Sequence, residues 1–315
     1  NAVLALENAA NSHPDRRKSE ILLSQLRGER GETQNPDSDP GCRRIFDAHT
    51  NAVDALAVAP SGNVGLSGDW SGQLICWDAI TAEQRWSVKA HHGEIYGLAV
   101  TPDTRLALSA SGGPDKADTT IRVWDLASGQ PLKTYSIHNQ WVTSLAVSPD
   151  GKCALSTSHD RSVRCWEVSS GTVTAVLRGH QGWVKCAAFS PSGLRAASVD
   201  WNGDLCLWDL KNSSLISSRH AHDGGVWKVI FTPDGSFLIT AGAEGMLRIW
   251  KPEADTPSFE LQGHSDPIQG LAISSDGRWL LSGGWDRTVR LWSLDERRCI
   301  STFEDPTDSV TAVAF

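Results

Sequence analysis

The chain has 315 residues and a formal net charge of −8, with 14 tryptophans against only two tyrosines and seven phenylalanines. A nucleic-acid binder normally shows a basic face, and the acidic balance argues against one; the local basic excess, Arg16, Arg17, Lys18, Arg27 and Arg30, lies in the first thirty residues. No apolar run approaches the roughly 18 residues of a membrane-spanning helix, and no pair of the seven cysteines has C-x-x-C spacing, so neither a membrane role nor a metal site is expected. An odd number of cysteines set among apolar residues suits reduced thiols in a cytoplasmic setting.

Residues 1–41 carry no repeat. Asp15 to Gly28 has helical character, with Ile21, Leu22 and Leu26 on one stripe and Gly28 as a stop. Glu29 to Gly41 is rich in Gly, Pro and Asp and is expected to be a linker. The first residue is Asn1, so the chain is expected to be a piece of a longer or processed protein.

From residue 42 onward a 42-residue period takes over. His49, His91, His138, His180, His222 and His264 are separated by 42, 47, 42, 42 and 42 residues, the one exception absorbing an insertion at Gly112 to Asp118. Tryptophans keep the same time at positions 77, 124, 166, 208, 250 and 292. Each unit opens on a β-branched residue after its His, alternates through a strand, and turns at sequences such as Pro149-Asp150-Gly151 or Pro191-Ser192-Gly193. Pro presets φ and Gly takes the left-handed position, so these are hairpin connections. A second strand holds Ser or Thr eighteen residues after the His: Ser67, Ser109, Ser156, Ser198, Thr240 and Ser282. A third strand ends in the Trp, and a fourth precedes the next His. Four short antiparallel strands per 42 residues make one blade of a β-propeller.

At this point the residues carry a resemblance. Trp77-Asp78, Trp124-Asp125 and Trp208-Asp209, with Gly179-His180 and Gly263-His264, resemble the signature of the Trp-Asp (WD) repeat family. The resemblance implies an all-β propeller over residues 42–315. It also implies a hydrogen-bonded chain of His, strand Ser/Thr, turn Asp and Trp within each blade, as in His138, Ser156, Asp160 and Trp166. Ser71, Asn202 and Glu244 stand at the turn-Asp position in three units. Those locks are expected to be weaker, at about 1 kcal/mol per neutral hydrogen bond lost. A His–Ser–Asp set also suggests a catalytic triad, but a set repeated in phase six times is a scaffold feature, so no catalytic residue and no cofactor are expected. Six full units, a seventh first strand at Ser309 to Phe315, and an outer strand at Arg43 to Phe46 suit seven blades with the last one about two strands short.

In such a blade the start of the first strand and the end of the second lie on one rim. Three sequence columns sample it, at His plus three, at His plus five and just before the turn Asp. They contain Trp70, Trp141, Trp183, Trp201, Trp227 and Trp285, with Glu94, Tyr96, His159, Lys185 and Gln269. Only Trp86 and Trp279 fall outside both the lock and the rim. Exposed aromatic surface marks interaction sites, so these eleven residues are the candidate partner-binding set, for a protein or peptide. The regular repeats also resemble the propellers attached to signalling ATPases of the NACHT or apoptosome type. That resemblance implies a sensor or scaffold in a longer signalling protein. A substrate receptor or chromatin-complex subunit is the alternative, and an enzyme built on a propeller a third.

Overall fold

A strand buried on both sides cannot stand alone, and the repeat supplies its partners in sequence order. The computed structural model describes residues 2–8, 19–25, 44–113, 118–304 and 306–315. All regular elements among them are strands, arranged in seven four-stranded antiparallel sheets. Six sheets are each one repeat in chain order, from the innermost strand outward. Blade 1 runs over residues 53–89, blade 2 over 94–135, blade 3 over 142–178, blade 4 over 184–220, blade 5 over 226–262 and blade 6 over 268–303.

The seventh sheet joins the two ends of the chain. Its order from inside out is Ser309–Ala314, Ala2–Asn8, Ser19–Gln25 and Arg44–His49. Leu4 pairs with Ala314, Leu6 with Ile21, and Leu22 with Ile45. The inner and outer strands of this blade stand where the sequence placed them. Two expectations are overturned. The segment expected to be helical carries the strand Ser19–Gln25, and the blade expected to lack two strands has four. The physical reason is one edge on each side: the strands Ser309–Ala314 and Arg44–His49 would otherwise face each other with unpaired backbone donors and acceptors. A short apolar run such as Ile21-Leu22-Leu23 serves a strand as readily as a helix. Residues 26–43, which hold the expected linker, lie outside the described residues.

The ring closes. Each innermost strand packs against the innermost strand of the next blade, and that of blade 7 against that of blade 1. Thr311 ties this last junction by donating its hydroxyl to the Val53 carbonyl at 2.8 Å. Apolar packing follows the same logic: each core cluster bridges two neighbouring blades. Leu66 and Leu74 of blade 1 pack with Ile95 and Trp124 of blade 2, and Ala312 of blade 7 packs with Trp77 of blade 1. The hairpin glycines Gly62, Gly151, Gly193 and Gly235 have φ between 70° and 73°, the left-handed conformation their Pro-x-Gly sequences implied, and Gly277, after Ser275-Asp276, matches them at 73°.

The His–Ser/Thr and His–carboxylate contacts of the lock form in all six repeat blades, and in five of them the lock Trp also donates to the hydroxyl. In blade 4 His180 Nε2 lies 2.7 Å from Ser198 Oγ, Trp208 Nε1 donates to the same hydroxyl at 2.7 Å, and His180 Nδ1 lies 3.0 Å from Asp200 Oδ2. The expectation of weaker locks where the turn Asp is missing is overturned. Asp69 and Asp200, two residues earlier and at the end of the second strand, supply the carboxylate to His49 and His180. Glu244 reaches His222 directly at 2.6 Å. Asp200 also accepts from the backbone amides of Asn202, Asp204 and Gly182, so the earlier position satisfies the turn as well as the imidazole. Burial pushes the Asp69 and Asp200 carboxyls up, but these hydrogen bonds outweigh it and hold both below the usual carboxylate range.

Candidate functional site: an aromatic rim

The lock has the connectivity of a nucleophile–base–acid triad, and burial decides what it is. Ser67, Ser109, Ser156, Ser198, Thr240 and Ser282 are all fully buried, and five of these hydroxyls take an indole N–H. A hydroxyl with no exposed surface and its lone pairs engaged cannot attack a substrate, so the lock holds the blade.

The rim is built by a repeated irregularity. In each of the six repeat blades the pairing of first and second strands slips by one residue, between Val53 and Ala55, Ile95 and Gly97, Val142 and Ser144, Val184 and Cys186, Val226 and Lys228, and Ile268 and Gly270. Blade 7 slips in the same place, around Thr311. The skipped residue is the one at His plus five: Asp54, Tyr96, Thr143, Lys185, Trp227, Gln269 or Thr311. A β-bulge leaves its extra residue without a cross-strand partner and re-aims the side chain. All seven are polar or aromatic groups that the sheet would otherwise have to pair, and six of them, all but Thr311, line one cavity.

That cavity, of about 500 Å³, opens where the seven innermost strands begin. Around it the rings touch in sequence. Tyr96 stacks on Trp141 with centroids 5.9 Å apart, Trp141 on His159 at 4.8 Å, and His159 on Trp183 at 4.5 Å. Trp183 tilts against Trp201 at 6.2 Å, Trp201 meets Trp227 edge-on at 5.3 Å, and Trp227 meets Trp285 at 5.7 Å. The arc therefore crosses blades 2 to 6. Gly112 seats its first indole: a Cβ there would lie 2.7 Å from Trp141 Cβ.

Within a blade the bulged residue and the rim tryptophan before the turn are partners. Trp70 Nε1 donates to Asp54 at 2.7 Å, Trp285 Nε1 donates to Gln269 at 2.7 Å, and the Lys185 ammonium sits 4.8 Å from the Trp201 ring centroid. Lys185 is also 4.9 Å from the Trp227 ring. Burial among these rings lowers the Lys185 pKa to about 8, with Asp54 opposing. Burial and the Lys185 charge lower His159 to about 4, so its imidazole is neutral at pH 7 and stacks as an aromatic ring. The Tyr96 hydroxyl donates to Glu94, and burial followed by that carboxylate raises its pKa.

All eleven candidate residues thus fall on one face, though not in one way. Trp70, Tyr96, Trp141, His159, Lys185, Trp227, Gln269 and Trp285 line the cavity. Trp183, Trp201 and Trp285 are 46%, 45% and 45% exposed, the first two extending the surface beyond it, and Glu94 acts through Tyr96. Asp54, Thr143 and Ser309 also line the cavity and stand in the same sequence columns. Lys228 is a lining residue that the columns miss. It follows the bulge by one position, where the other blades carry Ala55, Gly97, Ser144, Cys186, Gly270 and Ala312; a long charged side chain among small residues was the signal available.

A second cavity, of about 660 Å³, lies on the outer side of the same ring stack. It shares Trp141, His159 and Trp183, and adds Arg161, Arg164 and Arg178.

Comparison with known proteins agrees with this architecture. The family model described as "WD domain, G-beta repeat" matches six times, at residues 40–78, 82–125, 129–167, 171–209, 213–251 and 255–293. Among curated proteins, the chain is 29% identical over 113 residues to "WD repeat-containing protein 1" of Gallus gallus, covering 31% of this chain and 18% of that protein. It is 30% identical over 91 residues to "Cell division control protein 4" of Saccharomyces cerevisiae, covering 29% of this chain and 11% of that one. It is 32% identical over 88 residues to "Small ribosomal subunit protein RACK1y" of Oryza sativa subsp. japonica, covering 27% and 25%. The matched stretches span a quarter or less of each relative's length. Six family matches in phase with six blades, each carrying its His–Ser/Thr–carboxylate lock, make this chain a member of the WD-repeat family of β-propellers.

Proposed function

We propose that this propeller binds a protein or peptide partner on its aromatic rim, as the interaction or sensing part of a longer signalling protein rather than as a catalyst. One observation carries the reading: an unbroken arc of ring contacts from Tyr96 to Trp285 that leaves Trp183, Trp201 and Trp285 nearly half exposed beside a 500 Å³ cavity. Holding large apolar rings in water costs free energy that only a partner recovers, and tryptophan is the most enriched residue among binding hot spots. Relatives whose names place them in cell-division control and in the small ribosomal subunit fit an interaction role. A cytoplasmic location suits the six cysteines that are free thiols among the described residues.

Affinity purification from the native source tests this, with the wild type and a Trp141→Ala, Trp183→Ala, Trp201→Ala triple variant as baits. Proteins recovered by the wild type and lost from a folded triple variant support the rim. Equal recovery by both baits defeats it. Recovery of ubiquitin-ligase or chromatin subunits would favour the substrate-receptor reading over the signalling one.

A further inference from the structure

The rim reading leaves the chemistry of the partner open, and charge on the two cavities narrows it. We propose that the aromatic face takes an acidic peptide segment of a partner protein, whose Asp or Glu side chains reach the cations on both sides of the Trp141–His159–Trp183 stack. This rests on the rim being the binding face and adds the ligand's charge to it.

The chain as a whole is acidic, with a net charge of −8. The two cavities reverse that balance, because Lys185 and Lys228 line the central one and Arg161, Arg164 and Arg178 the outer one. The carboxylates that line them are already engaged: Asp54 accepts the Trp70 N–H, and Asp160 lies 2.8 Å from His138 Nδ1 and accepts from the Ser162 amide and hydroxyl. Arg164 is partly satisfied, 3.5 Å from Asp160 and donating to the Ile137 carbonyl. Arg161 and Arg178 are exposed and have no ion-pair partner among the described residues. Lys185 stands over two ring faces with Asp54 in the same cavity, and forms no ion pair with a carboxylate among those residues.

A cationic ligand is the obvious occupant of an aromatic site, and here the protein's own Lys185 occupies that position. Its ammonium stands over Trp201 and Trp227 at 4.8 and 4.9 Å, and Glu94, the nearby carboxylate that could attract a cation, accepts the Tyr96 hydroxyl. Lys228, Arg161 and Arg178 on this face are positive charges without an ion-pair partner among the described residues. Trp141 and His159 line both cavities, so a short extended segment lying over these rings spans from one cavity to the other. An acidic side chain at either end and an apolar one against the indoles match that span.

The test is selection of phage-displayed random dodecapeptides on the immobilised full chain, followed by fluorescence polarisation with synthetic copies. Enriched peptides should carry two or more Asp or Glu beside an apolar residue. Their Asn/Gln versions should bind at least tenfold more weakly, as should the exposed-surface variant R161E/R178E and, separately, K228Q. Enrichment of neutral or basic peptides that still depends on Trp183 and Trp201 would overturn the acidic ligand and leave the rim intact. Enrichment independent of those tryptophans, or none, would overturn both. Twelve-nucleotide dT and U oligomers serve as the competing class, since basic aromatic surfaces also bind single strands. Tighter binding of either than of the best acidic peptide would overturn the proposal.

Discussion

Trp201 and Trp208 lie seven residues apart in one blade and in opposite surroundings. Trp208 is 1% exposed, gives its N–H to Ser198, and packs in the cluster that joins blades 3 and 4. Trp201 is 45% exposed and meets Trp183, Trp227 and Lys185 along the rim. The same contrast repeats round the ring, with the six lock indoles no more than 3% exposed. One residue type thus occupies two environments, and phase within the repeat decides which. The lock indole stabilises by burial and a satisfied donor. The rim indole has exposed area left for another molecule.

The sharpest way to break this contrast is to truncate one of each. Trp208→Ala should cost about 3–5 kcal/mol in a denaturant unfolding experiment, because it empties a packed interblade core and removes the N–H donor to the buried Ser198 hydroxyl. Trp201→Ala should cost about 1 kcal/mol or less, the range of surface changes. Equal losses would mean that the rim tryptophans are packing residues too.

A second comparison lies within the locks. Asp200→Ala removes a buried acceptor of His180 and three backbone amides, so a loss of about 1.5–3 kcal/mol is expected for bonds to a charged group. Asn202→Ala, at the position where other blades hold the lock Asp, should change stability by about 0.5 kcal/mol or less. The opposite order would restore the simpler rule that the lock carboxylate always sits in the turn.

Acid sharpens the same point. The lock carboxyls Asp69, Asp118, Asp160, Asp200, Glu244 and Asp286 are all held below their usual range, against burial, by hydrogen bonds and by their imidazoles. A carboxyl with a depressed folded pKa contributes stability that is present above its unfolded value near pH 4. That stability is lost as pH falls through the folded value. Unfolding free energy should therefore drop steeply below about pH 4, and less steeply in Asp200→Asn. A single hydrogen bond is at stake at the closing junction. Thr311→Val removes the hydroxyl bonded to the Val53 carbonyl and should cost about 1 kcal/mol; no loss would mean that this bond does not help hold blade 7 to blade 1.

Whatever repeats was legible from the sequence. Six histidines and six tryptophans in step gave six blades, and the three columns placed Trp70, Trp141, Trp183, Trp201, Trp227 and Trp285 on one face. Features that break phase were harder. Ala2–Asn8 and Ser19–Gln25 have no counterpart in the period, and only the unpaired edges of blade 7 explain why they are strands. Asp69 and Asp200 do the work of the turn Asp from two residues earlier, because a carboxylate at the strand end still reaches the same imidazole. Lys228 was hidden by the bulge, which shifts the alternation of strand faces by one residue.

The central claim is that the rim binds and the lock holds. Its most direct test is the affinity of a partner recovered by the wild type, measured for the wild type and for the Trp141→Ala, Trp183→Ala, Trp201→Ala variant, with the thermal midpoint of each as control. Hot-spot indoles contribute about 2 kcal/mol or more each, so binding should weaken at least 100-fold while the midpoint stays within a few degrees. Unchanged affinity in the triple variant would contradict the account.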